Sequence, residues 1–167
     1  ALSASGLVGT CDASLLLTKP DALSSSAMTE IKRLGADSAY VIGGPAAISD
    51  SVVAQLQRAG LSVERVFGRT RYETSVAVAN EIADVSGVAV EDVVLARGDV
   101  FADAVAASGV TTGRECPVVL TKPDALPSAV QSFLRNEKPE TCVILGGVAA
   151  VSTSVESAVE SATDCDA

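Results

Sequence analysis

Arginine side chains are concentrated in one short stretch of an otherwise acidic chain. The 167 residues include 12 basic and 21 acidic side chains, which gives a net charge of −9. Between positions 58 and 71, four arginines accompany a single acid, so this stretch carries +3 (4 − 1) and the rest −12 (−9 − 3). The residues are Arg58, Arg65, Arg69 and Arg71, with Glu64 as the acid. Guanidinium groups bind phosphate and carboxylate bidentately, so the cluster predicts an anion site. Internal pairing with the surplus carboxylates is the alternative.

Two glycine pairs stand where an α/β protein often binds ligands. Gly43-Gly44 and Gly146-Gly147 each follow a short apolar run and precede a helical pattern by about five residues. Ligands gather at the carboxyl ends of parallel strands, near helix N-termini, so an anionic or polyhydroxylated ligand is predicted here. The alternative is that each pair only makes a tight turn. Neither GxGxxG nor a P-loop motif is present, which argues against a nucleotide.

Asp99 and Asp103 offer a different chemistry. Two carboxylates four residues apart can serve as acid and base in glycoside hydrolysis. A helix cap at Asp99 is the simpler interpretation. The chain has no histidine, which excludes Ser-His-Asp and Cys-His catalysis and histidine-containing zinc sites. We therefore predict a protein without a cofactor, and a hydrolase or amidase only as the alternative.

The cysteines indicate whether the protein is exported or stays in the cytosol. Cys11, Cys116, Cys142 and Cys165 include no CxxC pair, and lysine is scarce. An even number of cysteines in such a chain predicts an exported protein with two disulfides, which three pairings would satisfy. We favour Cys142–Cys165. Four buried thiols in a cytosolic domain are the alternative.

The chain contains an internal repeat. Residues 15–56 align without a gap with residues 118–159, and 15 of the 42 positions are identical. The seven residues LTKPDAL occur in both copies, with Asp21 and Asp124 at equivalent positions, and mark either a turn or a repeated ligand contact. The second copy is preceded by EDVVLARGDVFAD, for which the first copy has no counterpart. Either the chain is a piece of a longer array, or another segment supplies this strand.

Apolar runs of four or five residues alternate with stretches of helical period. Continuous Val, Leu and Ile indicate strands buried on both faces, and strict alternation predicts an α/β fold with mainly parallel sheets in Rossmann-like three-layer modules. We place the modules at 1–87 and 88–167. Predicted strands are 14–17, 39–42, 63–67, 92–96, 117–120 and 142–145. Predicted helices are 2–8, 25–34, 50–59, 71–85, 102–111, 128–136 and 153–162.

The repeat resembles a known family. LLLTKPDAL, YVIGGPAAIS, VFGRTRYETSVAVA, VLARGDVFADAVAAS, VVLTKPDALP and VILGGVAAVS occur in the order typical of the cell-wall-binding repeat type 2 family of Gram-positive surface proteins. The resemblance implies modules, often three in tandem, that hold a protein noncovalently to an anionic wall polymer. Such modules are commonly fused to separate enzymes or adhesins. Three full copies are not present in this chain.

These observations together predict a non-catalytic, extracellular module at the cell wall. Its predicted partners are an anionic wall polymer and neighbouring repeats or further copies of itself. A self-assembling structural or adhesive domain is a further alternative. The net negative charge argues against nucleic acid and anionic membranes as partners, and no apolar run reaches the roughly 18 residues that a membrane span needs. The ligand site is predicted at Arg69, Arg71, Tyr72, Gly43, Gly44, Gly146 and Gly147.

Overall fold

Helices and parallel strands alternate along the chain. The computed structural model describes residues 3–100, 107 and 116–163. Within these ranges the helices are α1 (Ser5–Thr10), α2 (Ser25–Leu34), α3 (Asp50–Arg58), α4 (Arg71–Ser86), α5 (Ser128–Glu137) and α6 (Thr153–Glu160). The strands are β1 (Ser38–Ile42), β2 (Ser62–Val66), β3 (Asp92–Arg97), β4 (Val118–Thr121) and β5 (Thr141–Ile144). The predicted α/β class with parallel sheets is confirmed.

The first sheet consists of β1 and β2, which pair in parallel from Ser38↔Ser62 to Ile42↔Val66. Helices α2 and α3 cover one face, because each presents buried apolar residues four positions apart. These are Ala27 and Ile31 in α2 and Val52 and Leu56 in α3. The Ser24 hydroxyl accepts the Ala27 amide at the start of α2, and Gly35 ends that helix in the left-handed conformation.

The second sheet has the order β4-β3-β5, with all pairs parallel. Every residue of β4 and the four central residues of β3 are buried, and a core cluster lies on each face of these strands. One face packs on α5 and α6 through Val130, Phe133, Val155 and Val159. Successive side chains of each strand therefore enter two different core clusters, one on each face of the sheet.

Helix α4 joins the two sheets. It contacts β2 of the first sheet and β4 of the second. The Thr70 hydroxyl accepts the Glu73 amide at 3.2 Å, which is one half of the predicted capping box, while the Glu73 carboxylate accepts the amide of Arg69 at 2.7 Å, one residue before the N-cap. The fully buried Ser75 hydroxyl accepts the Leu120 amide at 2.9 Å and so fastens α4 to the outer edge of β4. The expected division into modules 1–87 and 88–167 and their Rossmann-like layering stay predictions.

The strand predicted at 14–17 is wrong. Residues 13–19 form no strand, and Leu15, Leu16 and Leu17 are exposed. The corresponding segment of the second copy is β4, which exists by pairing with β3. The described part of the first copy has no counterpart of β3, so an equally apolar segment has no partner there. The helix predicted at 102–111 lies outside the described residues except for Ala107.

The expected disulfides are not supported. No disulfide joins Cys11, Cys116 and Cys142, while Cys165 lies outside the described ranges. Cys142 packs on the face of the second sheet that α5 and α6 cover, whereas Cys116 packs on the opposite face. Cys142 lies in β5 and Cys116 lies two residues before β4. These strands flank β3, so about 10 Å separates the two backbones. This exceeds the span of a disulfide and excludes a Cys116–Cys142 pair.

Tyr40 makes the first sheet sensitive to high pH. Its ring packs against a cluster that includes Val78 and Ile82 of α4. Burial raises the pKa of Tyr40 to about 12, and the nearby Glu81 carboxylate adds to this rise. An unfolded tyrosine ionises near pH 10, so the unfolded chain loses this proton first and stability falls as the pH rises from about 10 to about 12. We expect urea midpoints to fall more steeply across this range in the wild type than in Tyr40→Phe. Parallel curves would contradict this role for Tyr40.

Candidate functional site

A cleft of about 400 Å³ opens where β1 and β2 end. Gly43 and Gly44 directly follow β1, while residues 68–71 connect β2 to the first turn of α4. The lining residues are Ser3, Ile42, Gly43, Gly44, Ala46, Ala47, Gly68, Arg69, Thr70, Arg71, Thr74 and Leu120. The cleft thus lies at the carboxyl ends of two parallel strands, which is the usual position for a ligand in an α/β fold.

Glycines allow the loops around the cleft to approach closely. Gly43 has φ +132°, which side chains rarely tolerate, and its amide donates to the Val66 carbonyl at 2.9 Å. At Gly68 a Cβ atom would lie 2.6 Å from the Glu73 carbonyl carbon. Because that neighbour is backbone, the loop lies against α4 only with glycine at position 68. The Gly68 amide donates to the Thr74 hydroxyl at 3.0 Å, which fixes this contact.

Arg65 holds one wall of the cleft in place. Its Nη1 donates to the carbonyls of Gly43 at 2.7 Å and Ile48 at 2.8 Å, and its Nη2 contacts the Asp50 carboxylate at 3.1 Å. The Arg65 side chain is only 15% exposed. This arginine therefore braces the turn between β1 and α3. For Arg65 the interpretation of internal pairing is the correct one.

Arg69 and Arg71 are the charged side chains that line the cleft. Arg71 is exposed, and its Nη1 donates to the Gly98 carbonyl at 2.5 Å, which ties α4 to the end of β3. Arg69 is also exposed, and its guanidinium has no hydrogen bond or ion pair with the residues the structure describes. Arg69 is thus available to an external anion, and Arg71 is available in part.

The described charged side chains at the cleft mouth sum to +1. Arg69 and Arg71 contribute two charges, and the Glu73 carboxylate in the first turn of α4 offsets one of them. The N-terminus of α4 adds the partial positive charge of its amide groups. A net +1 in a chain of net −9 favours an anionic ligand over a cation. No aromatic side chain is found along the described lining of this cleft.

The repeats carry the same signature as a known family. The chain matches the family described as Cell wall binding domain 2 (CWB2) over residues 1–53 and 65–156. These two segments take up most of its length. The chain belongs to this family.

Two proteins of Bacillus subtilis are similar to this CWB2 domain. N-acetylmuramoyl-L-alanine amidase LytC of Bacillus subtilis (strain 168) is 28% identical over 163 residues, which are 98% of this chain and 32% of that protein. The amidase enhancer of the same strain is 28% identical over 149 residues, or 89% of this chain and 19% of that protein. The domain spans about a third or less of these relatives.

Two solved structures share the fold of the CWB2 domain. Cwp6 from Clostridium difficile matches with a TM-score of 0.89 at 27% identity, covering 99% of this chain and 26% of Cwp6. Cwp8 from the same bacterium matches with a TM-score of 0.81 at 27% identity, covering 97% of this chain and 27% of Cwp8. The family resemblance predicted from the repeat is confirmed, and the domain belongs at the cell wall or cell surface. No helix in the described ranges is long and apolar enough to cross a membrane.

The remaining predicted ligand residues of the CWB2 domain lie outside the cleft. Tyr72 is partly buried and packs against the core clusters on both faces of the second sheet. A Cβ at Gly98 would lie 2.9 Å from its ring. Gly146 and Gly147 form the equivalent turn of the second copy, where the Gly147 carbonyl accepts the Ala150 amide at 2.7 Å. Of the predicted set, the structure brings Gly43, Gly44, Arg69 and Arg71 together.

The TKPDAL segments make turns in both copies. The Asp21 carbonyl accepts the Ser51 hydroxyl at 2.7 Å, and the Asp124 carbonyl accepts the Ser154 hydroxyl at 3.1 Å. Neither aspartate lines the cleft. These contacts favour turn formation over ligand binding as the reason for the repeated sequence.

The acidic pair considered for catalysis has one described member. Both oxygens of Asp99 accept from Arg97, at 2.5 and 2.8 Å, and the hydrogen bonds from that guanidinium lower the pKa of Asp99. A carboxyl group held ionised in this way is a poor proton donor. Asp103 lies outside the described residues. Across those residues, no group of acidic or cysteine side chains is placed to hold a metal ion.

Several cleft residues were missed by reasoning from the sequence. Gly68, Thr70 and Thr74 belong to the GRTRYET motif, and their spacing from Arg69 was a usable signal. Ser3 and Leu120 come from distant parts of the chain. Only the tertiary structure brings them to the ends of β1 and β2.

Proposed function

We propose that this domain is a non-catalytic anchor that binds an anionic wall polymer in the cleft at the ends of β1 and β2. The observation that supports the proposal is the pair Arg69 and Arg71, the charged residues of the cleft lining, in a chain of net −9. The anchor would hold a larger surface protein to the wall, since the relatives are about three or more times as long as this chain.

The chemistry of the lining favours phosphate or carboxylate groups. Guanidinium groups bind such anions with two parallel hydrogen bonds, and the absence of side chains at Gly43 and Gly44 leaves room for a ligand beside them. Neutral sugars are commonly held by aromatic platforms, but the chain has no tryptophan and the described lining has no aromatic ring. A repeating anionic polymer also presents many identical groups, so a single modest site gains from rebinding.

Binding to isolated walls tests the proposal. Purified domain should sediment with intact walls and should fail to sediment with walls from which the anionic polymers have been removed by mild acid. Equal sedimentation with both preparations would overturn the choice of ligand while leaving wall binding intact. Zymography on the same walls addresses catalysis, since a zone of clearing would overturn the non-catalytic assignment.

The binding should also weaken with salt. The Debye length falls from about 10 Å at 0.1 M to about 3 Å at 1 M, so an exposed contact between guanidinium and phosphate or carboxylate is screened. We expect wall affinity to fall steadily as NaCl is raised from 0.1 to 1 M. Circular dichroism at each concentration controls for unfolding. Affinity that is unchanged at molar salt would point to uncharged hydrogen bonding instead.

A further inference from the structure

The carboxylate of Glu73 makes an unusual contact at the start of α4. In a capping box, the acidic side chain at the third helical position accepts the backbone amide of the N-cap residue itself. Here the N-cap is Thr70, but the Glu73 carboxylate accepts the amide of Arg69, one residue earlier, at 2.7 Å. The contact therefore fixes the backbone of an arginine that lines the cleft.

The three residues before α4 are all bound to side chains of its first turn. The Gly68 amide donates to the Thr74 hydroxyl at 3.0 Å, and that hydroxyl donates to the Thr70 carbonyl at 2.9 Å. The bond from Glu73 to the Arg69 amide lies between these two contacts. The close approach requires glycine at position 68, because a Cβ atom there would overlap the Cβ atom of Glu73. The backbone at Arg69 is thus held on both sides, while its guanidinium takes part in none of these bonds.

The charge of Glu73 opposes the binding of an anion in the cleft. Arg69 and Arg71 supply +2 at the cleft mouth, and Glu73 lowers this sum to +1 (2 − 1). Glu73 itself is not among the described residues that line the cleft. A negative charge near a helix N-terminus stabilises the helix, but this effect does not require a bond to the Arg69 amide. Glu73 therefore has two effects of opposite sign on an anion: its charge repels the ligand, and its oxygen fixes the loop.

We propose that Glu73 is a positioning residue for the anion site, whose carboxylate holds the backbone at Arg69 so that the guanidinium is presented to the ligand. The inference rests on the proposed function and adds a residue outside the cleft lining that sets the affinity. Holding the loop before the ligand arrives reduces the conformational entropy that binding would otherwise remove. The hydrogen-bond acceptor of Glu73 strengthens binding, and its negative charge weakens it.

Two substitutions separate the acceptor from the charge. Glu73→Gln keeps an oxygen that accepts the Arg69 amide but removes the charge, so it should bind about two- to sixfold more tightly at low salt. This is the range expected for one unit charge about 4–8 Å from the ligand in water. Glu73→Ala removes the charge and the acceptor together. It should bind about tenfold more weakly than Glu73→Gln, because one residue of the loop must then be ordered on binding.

Titration calorimetry with soluble polyphosphate, an anionic polymer of defined chemistry, tests this order of affinities. We expect Glu73→Gln to bind more tightly than the wild type, and Glu73→Ala to bind more weakly. Amide exchange at Arg69 gives a second measurement without any ligand, and it should be slow in the wild type and in Glu73→Gln but faster in Glu73→Ala. Equal affinities of the two variants would show that only the charge acts and would overturn the proposal. Weaker binding by Glu73→Gln than by the wild type would also overturn it.

Glu156 provides the matched control, because it lies in the first turn of α6 and does not line the cleft. Glu156→Gln and Glu156→Ala make the same changes of charge at a different helix N-terminus. We expect these two variants to bind polyphosphate equally. Thermal unfolding of all four variants sets the temperature for the binding measurements, which must lie below every melting transition. If Glu156→Ala loses as much affinity relative to Glu156→Gln as Glu73→Ala does relative to Glu73→Gln, the positioning role is wrong.

Sedimentation with isolated walls distinguishes this inference from the proposed function. If polyphosphate binds in the expected order but walls are not bound, the proposed function fails and the role of Glu73 stands. If walls are bound but the order is absent with both ligands, the role of Glu73 is wrong and wall binding stands. Failure of the wild type to bind polyphosphate would overturn the inference, since there would be no anion site for Glu73 to organise.

Discussion

Replacing Arg69 with glutamate will weaken binding to isolated walls by roughly thirtyfold at low salt and leave the melting temperature unchanged. Two unit charges 4 Å apart in water attract by about 1 kcal/mol, and reversal turns this into a repulsion of about 1 kcal/mol. The difference of about 2 kcal/mol corresponds to roughly a thirtyfold change in affinity. Stability should not change, because the Arg69 side chain has no partner within the described part of the chain.

Arg58→Glu is the matched control for this experiment. Arg58 is exposed at the end of α3 and does not line the cleft, yet its reversal changes the net charge by the same two units. Sedimentation with walls and thermal unfolding should be measured for both variants. If Arg58→Glu weakens binding as much as Arg69→Glu, the polymer responds to overall charge and the cleft is not its site. If Arg69→Glu binds like the wild type, the proposed site is wrong.

The sequence predicted the fold class and most elements correctly because its signals are local. The Thr70 hydroxyl caps the start of α4, and Gly35 ends α2, as their residue types and positions predict. Continuous apolar runs identified the buried strands β3 and β4. These properties depend on neighbours a few residues away. They are therefore readable from the chain itself.

The wrong prediction of a strand at 14–17 shows what local sequence signals cannot predict. Residues 15–17 are as apolar as 118–120, yet only the second stretch forms a strand. A strand requires a hydrogen-bonding neighbour, and β3 provides one only for the second copy. Local composition cannot report this difference. Only a comparison of the two copies shows it, because a described strand lies beside the second stretch and none beside the first.

The candidate site was predicted only in part, because local sequence does not report tertiary contacts. The density of arginine between positions 58 and 71 pointed to an anion site, and Arg69 and Arg71 do line a cleft with Gly43 and Gly44. The number of arginines in this stretch did not show that Arg65 has a different role. Arg65 donates to the carbonyls of Ile48 and Gly43, which lie 17 and 22 residues earlier. Nor did the number of arginines show that Tyr72 packs against the core clusters of the second sheet. The role of each residue was set by tertiary contacts.

Arg65→Met, unlike Arg69→Glu, should cause a large loss of stability. Methionine keeps the apolar stem of Arg65 but removes the donors to the Gly43 and Ile48 carbonyls. Each hydrogen bond from a charged donor contributes about 1.5–3 kcal/mol, and Gly43 is buried, so its carbonyl is left unsatisfied. The ion pair with Asp50 adds little, because the Asp50 side chain is 83% exposed.

We expect Arg65→Met to lower the free energy of unfolding by about 3 kcal/mol, because it loses two charge-assisted hydrogen bonds. For a domain of this size, that loss corresponds to a fall in melting temperature of about 6–12 °C. Wall binding should weaken as well, since the turn that Arg65 supports carries Gly43 and Gly44 of the cleft. Arg58→Met is the control, because it removes the same charge from an exposed position. Urea titration of both variants tests this prediction. Similar midpoints would mean that Arg65 does not brace the turn. A stable Arg65→Met that has lost wall binding would make Arg65 a ligand residue instead.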